Sequence, residues 1–287
     1  MTSLTRLGAD ELCAAVSGFR DALAAHKEGI NRLNVYPVPD GDTGTNMALT
    51  ALAVCEEEAA PGSDLPSVCK AISHGSLMGA RGNSGVILSQ ILRGMSSVIA
   101  HAEGMDGRSA ADALAAASTA AYQAVMRPVE GTILTVVREA SEAATAAAAD
   151  GADLIGVLEA AKAQGDDALS RTPEMLPVLK EAGVVDAGGT GFLLFLDALL
   201  HVADGRPLPE PVEVDGPTFT DPLPGHGEVG HGDVSDLRYE VMYFLEAPDD
   251  AIPAFKDVWA GIGDSIVVVG GDGTCNCHTH TADIGPD

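Results

Sequence analysis

The sequence predicts an all-α bundle or barrel of about eight helices, followed by a small α/β fragment. Three observations support this prediction. Apolar residues recur at helical spacing through residues 1–205, with no convincing strand among them. Loops that contain glycine separate these segments, as they do in helical bundles. Beyond a proline-rich stretch the apolar residues alternate instead, and alternation is typical of strands.

Eight segments of the first part carry the helical pattern. The pair Ser109 and Asp112 resembles a capping box, which predicts the start of an alanine-rich helix that ends before Pro128. Helices so rich in alanine bury little area each, so their long apolar faces are expected to pack inward on several neighbours. We expect the helices at 8–33, 45–60, 64–78, 84–102, 109–126, 131–149, 152–170 and 190–203.

Three regions follow from this pattern: a helical domain at 1–205, a linker at 206–235 and a partial α/β domain at 236–287. The middle stretch has six prolines with glycines and acids between them, so it cannot form a helix or a central strand. The last region predicts strands at 239–247, 265–269 and 274–281 and a short helix at 251–261. So small a unit suggests that the chain is truncated or that another element completes its sheet.

The charge balance excludes several classes of partner. The chain has 16 basic and 42 acidic residues, a formal net charge of −26, which repels nucleic acids and anionic membrane surfaces. We expect no transmembrane segment, because no stretch approaches about 18 uninterrupted apolar residues. Five scattered cysteines are typical of reduced thiols in the cytoplasm. A nucleotide site in so acidic a chain would need a metal ion to offset the charge.

The densest polar motif lies at 33–47. Asp40 and Asp42 are two residues apart, so both carboxylates can aim at one hard cation such as Mg²⁺. Thr43, Thr45 and Asn46 add donors where the next helix starts, and a helix N-terminus favours phosphate. The alternative is a structural turn whose acids cap that helix.

A second motif, 78–85, also precedes a helix. Its glycines, Gly82 among them, would let backbone amides approach phosphate, next to Asn83 and Ser84. Arg81 could meet the charge that develops on a transferred phosphoryl group, or it could be a surface arginine in a flexible loop.

Two further loops share this style, at 128–133 with Thr132 and at 185–191 with Asp186 and Gly188. Four such loops could converge at one end of a helical barrel. They could equally be four ordinary turns between helices.

Together these motifs resemble the ATP-binding domain shared with the L subunit of dihydroxyacetone kinase, and more closely the bacterial fatty acid kinase A family. The helical part resembles the family end to end, and the tail resembles its middle domain. The motifs that carry the resemblance are 34–46, 79–85, 128–132 and 185–189, with 263–269 and 277–281 in the tail.

The resemblance implies an eight-helix up-down barrel that holds Mg²⁺ and ATP at its open end. It implies that Asp40 and Asp42 bind the metal, with Asn34 as a further ligand, and that Arg81 faces the transferring phosphoryl group. Other loop residues would contact the nucleotide: Thr43, Thr45, Asn46, Gly82, Asn83, Ser84, Thr132, Asp186 and Gly188.

The family's substrate would be a fatty acid presented by a separate DegV-like fatty-acid-binding protein, and the product an acyl phosphate. A cytoplasmic homodimer is also implied. A carboxylate acceptor is already ionised at pH 7 and needs no general base. Two alternatives remain: a kinase of a small hydroxy-ketone, and a non-catalytic nucleotide-binding regulator.

The tail carries one further expectation. In the family the His-x-His of this strand, here His278 and His280, is associated with a structural zinc that a cysteine on an earlier strand completes. This sequence has no cysteine in the corresponding strand, where Val241 stands in its place. The alternative is a pair of polar residues on a half-exposed strand.

Overall fold

A computed structural model describes residues 3–57, 62–211, 239–271, 273–282 and 284. The first part is helical throughout. Its helices are α1 (Ala9–Leu33), α2 (Thr43–Glu56), α3 (Leu65–Gly79), α4 (Gly82–Ile99), α5 (Gly107–Ala124), α6 (Ile133–Ala149), α7 (Leu154–Met175), α8 (Pro177–Ala182) and α9 (Ala187–Asp204).

Eight of these helices form a closed ring. Each helix from α1 to α7 packs on the next one, α7 packs on α9, and α9 returns to α1. Successive helices run in opposite directions: Gly75 of α3 lies beside Glu57 at the end of α2, whereas Gly79 lies beside Ala53 one turn earlier. The all-α up-down barrel is therefore confirmed, with α8 as a short addition between α7 and α9.

The core of the ring is aliphatic, with a few aromatic rings at its centre. Phe19 of α1 and Phe195 of α9 meet edge to face at 5.2 Å, and both are fully buried beside Phe192. Many of the buried residues are alanines, as the composition predicts, and such small side chains let the helices approach closely.

α9 is the helix by which the ring closes. By length and composition it is apolar enough to cross a membrane, with a mean hydropathy of 1.2, but 72% of it is buried inside the protein. Buried core helices pass the same test, and α9 packs against α1, α6 and α7. It is therefore a core helix of the barrel.

The last part is a three-stranded antiparallel sheet with one helix. Strands β1 (Tyr239–Glu246), β2 (Asp264–Gly271) and β3 (Thr274–Thr281) lie in the order β1-β3-β2, and α10 (Ile252–Trp259) follows β1. One face of the sheet packs on Trp259 of α10. The other packs Val267 and Val269 on the barrel, where Asn276 donates a hydrogen bond to the carbonyl of Leu77 at 3.2 Å.

Several expected boundaries are wrong for identifiable reasons. α5 begins at Gly107, because Asp106 is its N-cap and Ser109 is the third residue of the capping box, not its start. α9 begins three residues before the expected 190, since two glycines of the sequence lie within its first turn. α7 extends to Met175, and α8 was not expected at all.

Other expectations lie outside the described residues. Residues 58–60 of the expected second helix are among them, as are 212–235 of the expected linker. Residues 206–211 have no regular structure. The three domain boundaries therefore stay predictions.

Candidate active site at the loop end of the barrel

The four glycine-containing loops lie at the same end of the barrel. Because successive helices of the ring are antiparallel, every second loop lies at the same end of the barrel. Specific contacts join the four loops at this end. The backbone N–H of Arg81 donates to Thr50 Oγ1 at 3.3 Å, which ties the second loop to α2. The N–H of Asp186 donates to Thr172 Oγ1 at 3.1 Å, beside Gly131 of the third loop. Gly191 packs directly on Met47, which brings the two pairs of loops together.

The first loop is organised around the buried side chain of Asn34. Its Nδ2 donates to Asp40 Oδ1 at 2.5 Å and to the carbonyl of Val38 at 3.3 Å. Its Oδ1 accepts from the hydroxyl of Thr43 at 2.8 Å. Asn34 therefore fixes the loop relative to the first turn of α2. Its role as a metal ligand stays a prediction.

Asp40 and Asp42 form a close pair of carboxyl groups. Burial of the Asp40 carboxyl and the neighbouring charge of Asp42 raise the pKa of Asp40 to about 7, although the residue as a whole is exposed. Asp42 occupies the N-cap position of α2, yet its side chain makes no capping hydrogen bond. Neither acid forms an ion pair with a lysine or arginine of the described residues. Two such carboxylates without a cationic side chain fit a divalent cation.

The first turn of α2 is held against the end of α1. Asn31 accepts from the N–H of Thr45 and donates to its hydroxyl, both at 3.0 Å. A side chain at Gly44 would lie 2.3 Å from the carbonyl oxygen of Lys27, so only glycine permits this approach. The N-terminus of α2, with its positive dipole end, is therefore fixed beside Asp42.

The second loop supplies Arg81 and the start of α4. Gly82 has a φ of 56°, and a Cβ there would lie 2.3 Å from Asn46 Nδ2, so this position also requires glycine. The next residue, Asn83, has a buried side-chain oxygen with no hydrogen-bond partner among the described residues. A buried acceptor left unpaired costs about 1–3 kcal/mol, and a ligand or a bound ion would relieve that cost.

Arg81 is an exposed arginine that carries charge without an acidic partner. Its guanidinium donates to the carbonyl of Ala80 at 2.8 Å and of Met78 at 3.4 Å. Within the described residues it makes no ion pair, whereas most arginines of this acidic chain do. Its cationic head is therefore available to an anionic ligand.

The third and fourth loops present helix N-termini. Thr132 is the N-cap of α6 and accepts from the N–H of Leu134 at 3.3 Å. Asp186 is the buried N-cap of α9 and accepts from the N–H of Gly189 at 2.6 Å. Burial raises the pKa of Asp186 to about 6, against the backbone amides that favour its charged form. Gly188 lies on Ile133, so these two N-termini are adjacent.

A polar cluster that the sequence analysis missed supports the third loop. Glu130 accepts from the hydroxyl of Tyr122 at 2.9 Å, of Thr135 at 2.6 Å and from Arg138 at 3.2 Å. Thr135 in turn accepts from the N–H of Gly131 at 2.8 Å. These partners lie on α5 and α6, so the order of the third loop depends on two helices.

The sheet adds a second group of polar side chains to the same end. His278 and His280 lie on the face of β3 that packs toward the barrel, and both are buried, not half-exposed. Glu240 of β1 lies on the same face. Burial raises the pKa of Glu240, and the negative charge of nearby Asp42 raises it further. Val241 lies on the other face of the sheet, opposite Thr279.

Known protein families match both parts of the chain. The DAK2 domain matches residues 37–201, and the middle domain of the fatty acid kinase A-like type matches residues 236–286. The expected resemblance is therefore confirmed over the barrel and the sheet.

Relatives match most of the chain. Protein YloV of Bacillus subtilis (strain 168) is 37% identical over 273 residues, which cover 92% of this chain and 49% of YloV. An uncharacterized protein of Staphylococcus haemolyticus (strain JCSC1435) is 38% identical over 268 residues, covering 90% of this chain and 48% of the relative. An uncharacterized protein of Staphylococcus aureus (strain USA300) is 37% identical over 267 residues, with the same coverage.

The chain spans about half the length of these relatives. The two family matches include the acids at 40 and 42, the other three loops of the barrel end and the strands of the sheet. The chain thus belongs to the fatty acid kinase A family, with a DAK2 domain followed by the family's middle domain.

Proposed function

We propose that this chain is the ATP-binding subunit of a two-component fatty acid kinase. It would transfer the γ-phosphate of ATP to a fatty acid carboxylate that a DegV-like fatty-acid-binding protein presents, giving an acyl phosphate. The observation that carries the proposal is the convergence of an unneutralised carboxylate pair, an unpaired buried amide oxygen and an arginine free of acidic partners at one end of the barrel. Each of these three features fits a part of a metal–nucleotide complex.

The residues divide into those that suit the metal and those that suit the phosphates. Asp40 and Asp42 would hold Mg²⁺, with Asn34 as the further ligand that the resemblance implies. Mg²⁺, when bound, would neutralise charge on the phosphate oxygens. Donors from the helix starts would contact the phosphates: Thr43, Thr45, Asn46, Gly82, Asn83 and Ser84. Thr132, Asp186 and Gly188 would border the nucleotide, with the Asp186 carboxylate accepting from the N–H of Gly189.

The chemistry needs little beyond positioning and charge stabilisation. A fatty acid carboxylate is ionised at neutral pH, so the chain has no proton to remove from the acceptor. Arg81 lies at the N-terminus of α4 and can reach outward from its present carbonyl contacts to the transferring group. The fixed amides at the starts of α2 and α4 require no rearrangement to meet the phosphates.

The remaining assignments follow the family. We propose that the chain works in the cytoplasm, which agrees with cysteines that form no disulfide among the described residues. We also propose that it is a homodimer. We also propose that His278 and His280 bind Zn²⁺. No nucleic acid partner is expected for a chain of this charge.

Calorimetric titration of ATP tests the nucleotide site. Wild type should bind ATP in the presence of Mg²⁺ and lose at least about tenfold in affinity without it. Asp42→Asn should lose the Mg²⁺ dependence. Asp64→Asn is the matched control, because Asp64 is also a helix N-cap but lies at the opposite end of the barrel. The proposal would be overturned if the affinity for ATP were the same with and without Mg²⁺ and the same in Asp42→Asn as in wild type.

An acceptor panel tests the reaction. The purified chain with a fatty-acid-loaded DegV-like protein and Mg-ATP should form acyl phosphate, measured as the hydroxamate. Transfer to dihydroxyacetone without the partner would favour a hydroxy-ketone kinase. Mg-ATP binding with no transfer to either acceptor would favour a nucleotide-binding regulator.

A further inference from the structure

Glu240, His278 and His280 bring one ligand atom each to a common point. These three atoms lie within 4.8 Å of one another. The centroids of the two imidazole rings are 5.0 Å apart, and Glu240 Oε1 is 3.4 Å from His278 Nδ1. The strand register produces this cluster: Glu240 pairs with His280, and side chains two residues apart on β3 share a face.

His278 is the unusual member of this cluster. It is completely buried, and neither ring nitrogen has a hydrogen-bond partner within the described residues. A buried imidazole without hydrogen bonds is costly unless something else occupies its nitrogen.

The cysteines of the same strand cannot complete the cluster. Cys275 and Cys277 lie on the opposite face of β3, where they pack with Trp259 of α10. The carboxylate of Glu240, on a neighbouring strand, is therefore the available anionic ligand.

We propose that Glu240 is the third protein ligand of a Zn²⁺ ion held by His278 and His280, in the place where the family resemblance would put a thiolate. Two imidazoles and one carboxylate are a ligand set that Zn²⁺ accepts. Sites with three protein ligands leave a fourth position open, in contrast to closed structural sites. The fourth position would lie on the Glu240 side of the site, because Glu240 is exposed while both histidines are buried.

The position of this site gives it a second property. Glu240 lies within electrostatic range of Asp42. The strand that carries both histidines packs on the loop end of the barrel, where Asn276 bonds the carbonyl of Leu77. An ion at Glu240 would offset negative charge beside the proposed nucleotide site. The ligand assignment itself does not depend on which acceptor that site phosphorylates.

Metal content tests the assignment without any measurement of activity. The full chain, stripped with a chelator and dialysed against Zn²⁺, should retain about one Zn²⁺ per chain. Glu240→Gln should weaken Zn²⁺ binding by about tenfold or more in competition with a chromophoric chelator. Glu246→Gln is the matched control, since Glu246 lies on the same strand and face but opposite Thr274. Zn²⁺ retention below about one tenth per chain, or equal affinity in Glu240→Gln and wild type, would overturn the proposal.

Cobalt substitution identifies the ligand directly. Co²⁺ in the wild-type chain should give visible d–d bands without a near-ultraviolet thiolate charge-transfer band. Glu240→Cys should gain that band, whereas Val241→Cys should not, because Val241 lies on the opposite face. A charge-transfer band in wild type would show that a native thiol is the ligand. A band of equal strength in both cysteine variants would show that the face of β1 does not decide which side chain reaches the metal, and it would overturn the assignment of Glu240.

Discussion

The side-chain amide of Asn34 donates a hydrogen bond to the Asp40 carboxylate at 2.5 Å, while its oxygen accepts from Thr43. One buried neutral residue thus holds the acidic loop and the first turn of α2 together. An amide can do this because it offers a donor and an acceptor at once. An ionised aspartate at this position could only accept hydrogen bonds, so it could bond the hydroxyl of Thr43 but not the carboxylate of Asp40.

Asn34→Asp should therefore destabilise the chain in the absence of divalent cations. The change removes the donor to Asp40 and adds a third negative charge, at a cost of about 1–3 kcal/mol in the free energy of unfolding. Mg²⁺ should recover more stability in this variant than in wild type. Urea unfolding with and without Mg²⁺ measures both effects. Asn34→Ala separates them, because it removes the donor without adding charge, and equal Mg²⁺ responses in the two variants would contradict the prediction.

Arg81→Lys should impair phosphoryl transfer more than nucleotide binding. The planar guanidinium can contact two oxygens at once, and arginines that stabilise transferring phosphoryl groups contribute about 10³–10⁵ in kcat. We expect kcat to fall by at least about 10²-fold while the KM for ATP changes by only about threefold. Arg108→Lys on the exposed face of α5 is the control. A variant with unchanged kcat would place Arg81 outside the reaction.

Asp186→Asn should remove a pH dependence of stability. Folding raises the pKa of Asp186 from 3.8 to about 6, so the folded protein holds this proton more tightly than the unfolded chain. The contribution of Asp186 to the free energy of unfolding must then increase as the pH falls through about 6. The wild type should gain roughly 1 kcal/mol over the variant between about pH 7.5 and pH 5, in urea unfolding followed by circular dichroism. A constant difference would show that the carboxyl does not titrate there.

Thr135→Val should destabilise the third loop. The substitution nearly preserves volume, but it removes the acceptor of the Gly131 N–H and a donor to Glu130 in a fully buried position. We expect a loss of about 1–3 kcal/mol in the free energy of unfolding, with recovery in Thr135→Ser. Thr119→Val is the control, because its exposed hydroxyl bonds only to the carbonyl of Ala115. Equal losses in the two valine variants would contradict the prediction.

The helices could be predicted from sequence because their apolar faces repeat at one period over many residues. The strand at 274–281 was predicted with the bounds that β3 has, since a glycine turn precedes its alternation. The first residues of the helices were harder to predict from the sequence. The first turns of α4 and α9 contain glycines that resemble loop residues, yet the N-cap Asp186 could have marked the true start of α9.

The candidate site was predictable where it is local in sequence and not where it depends on tertiary contacts. The acids at 40 and 42 could be found because they lie only two positions apart in the sequence. Asn31 and Thr50 were missed because each makes a contact between elements: Asn31 of α1 bonds the first turn of α2, and Thr50 of α2 bonds the second loop. Glu240 was missed because a shift of one residue in register moves every side chain of a strand to the other face. Composition could not reveal that register.

Closure of the ring by α9 also sets an order of events during synthesis. The helix α1 packs on α9, which is made much later, and the N–H of Leu4 donates to the carbonyl of Ala203 at 2.8 Å. The helix α2 can cover one side of α1 as soon as it is made, but a ribosome must release nearly the whole barrel before α1 can bury the side that packs on α9. Until then that apolar side of α1 stays exposed on the nascent chain, and surface of this kind makes an unfinished domain prone to misassembly.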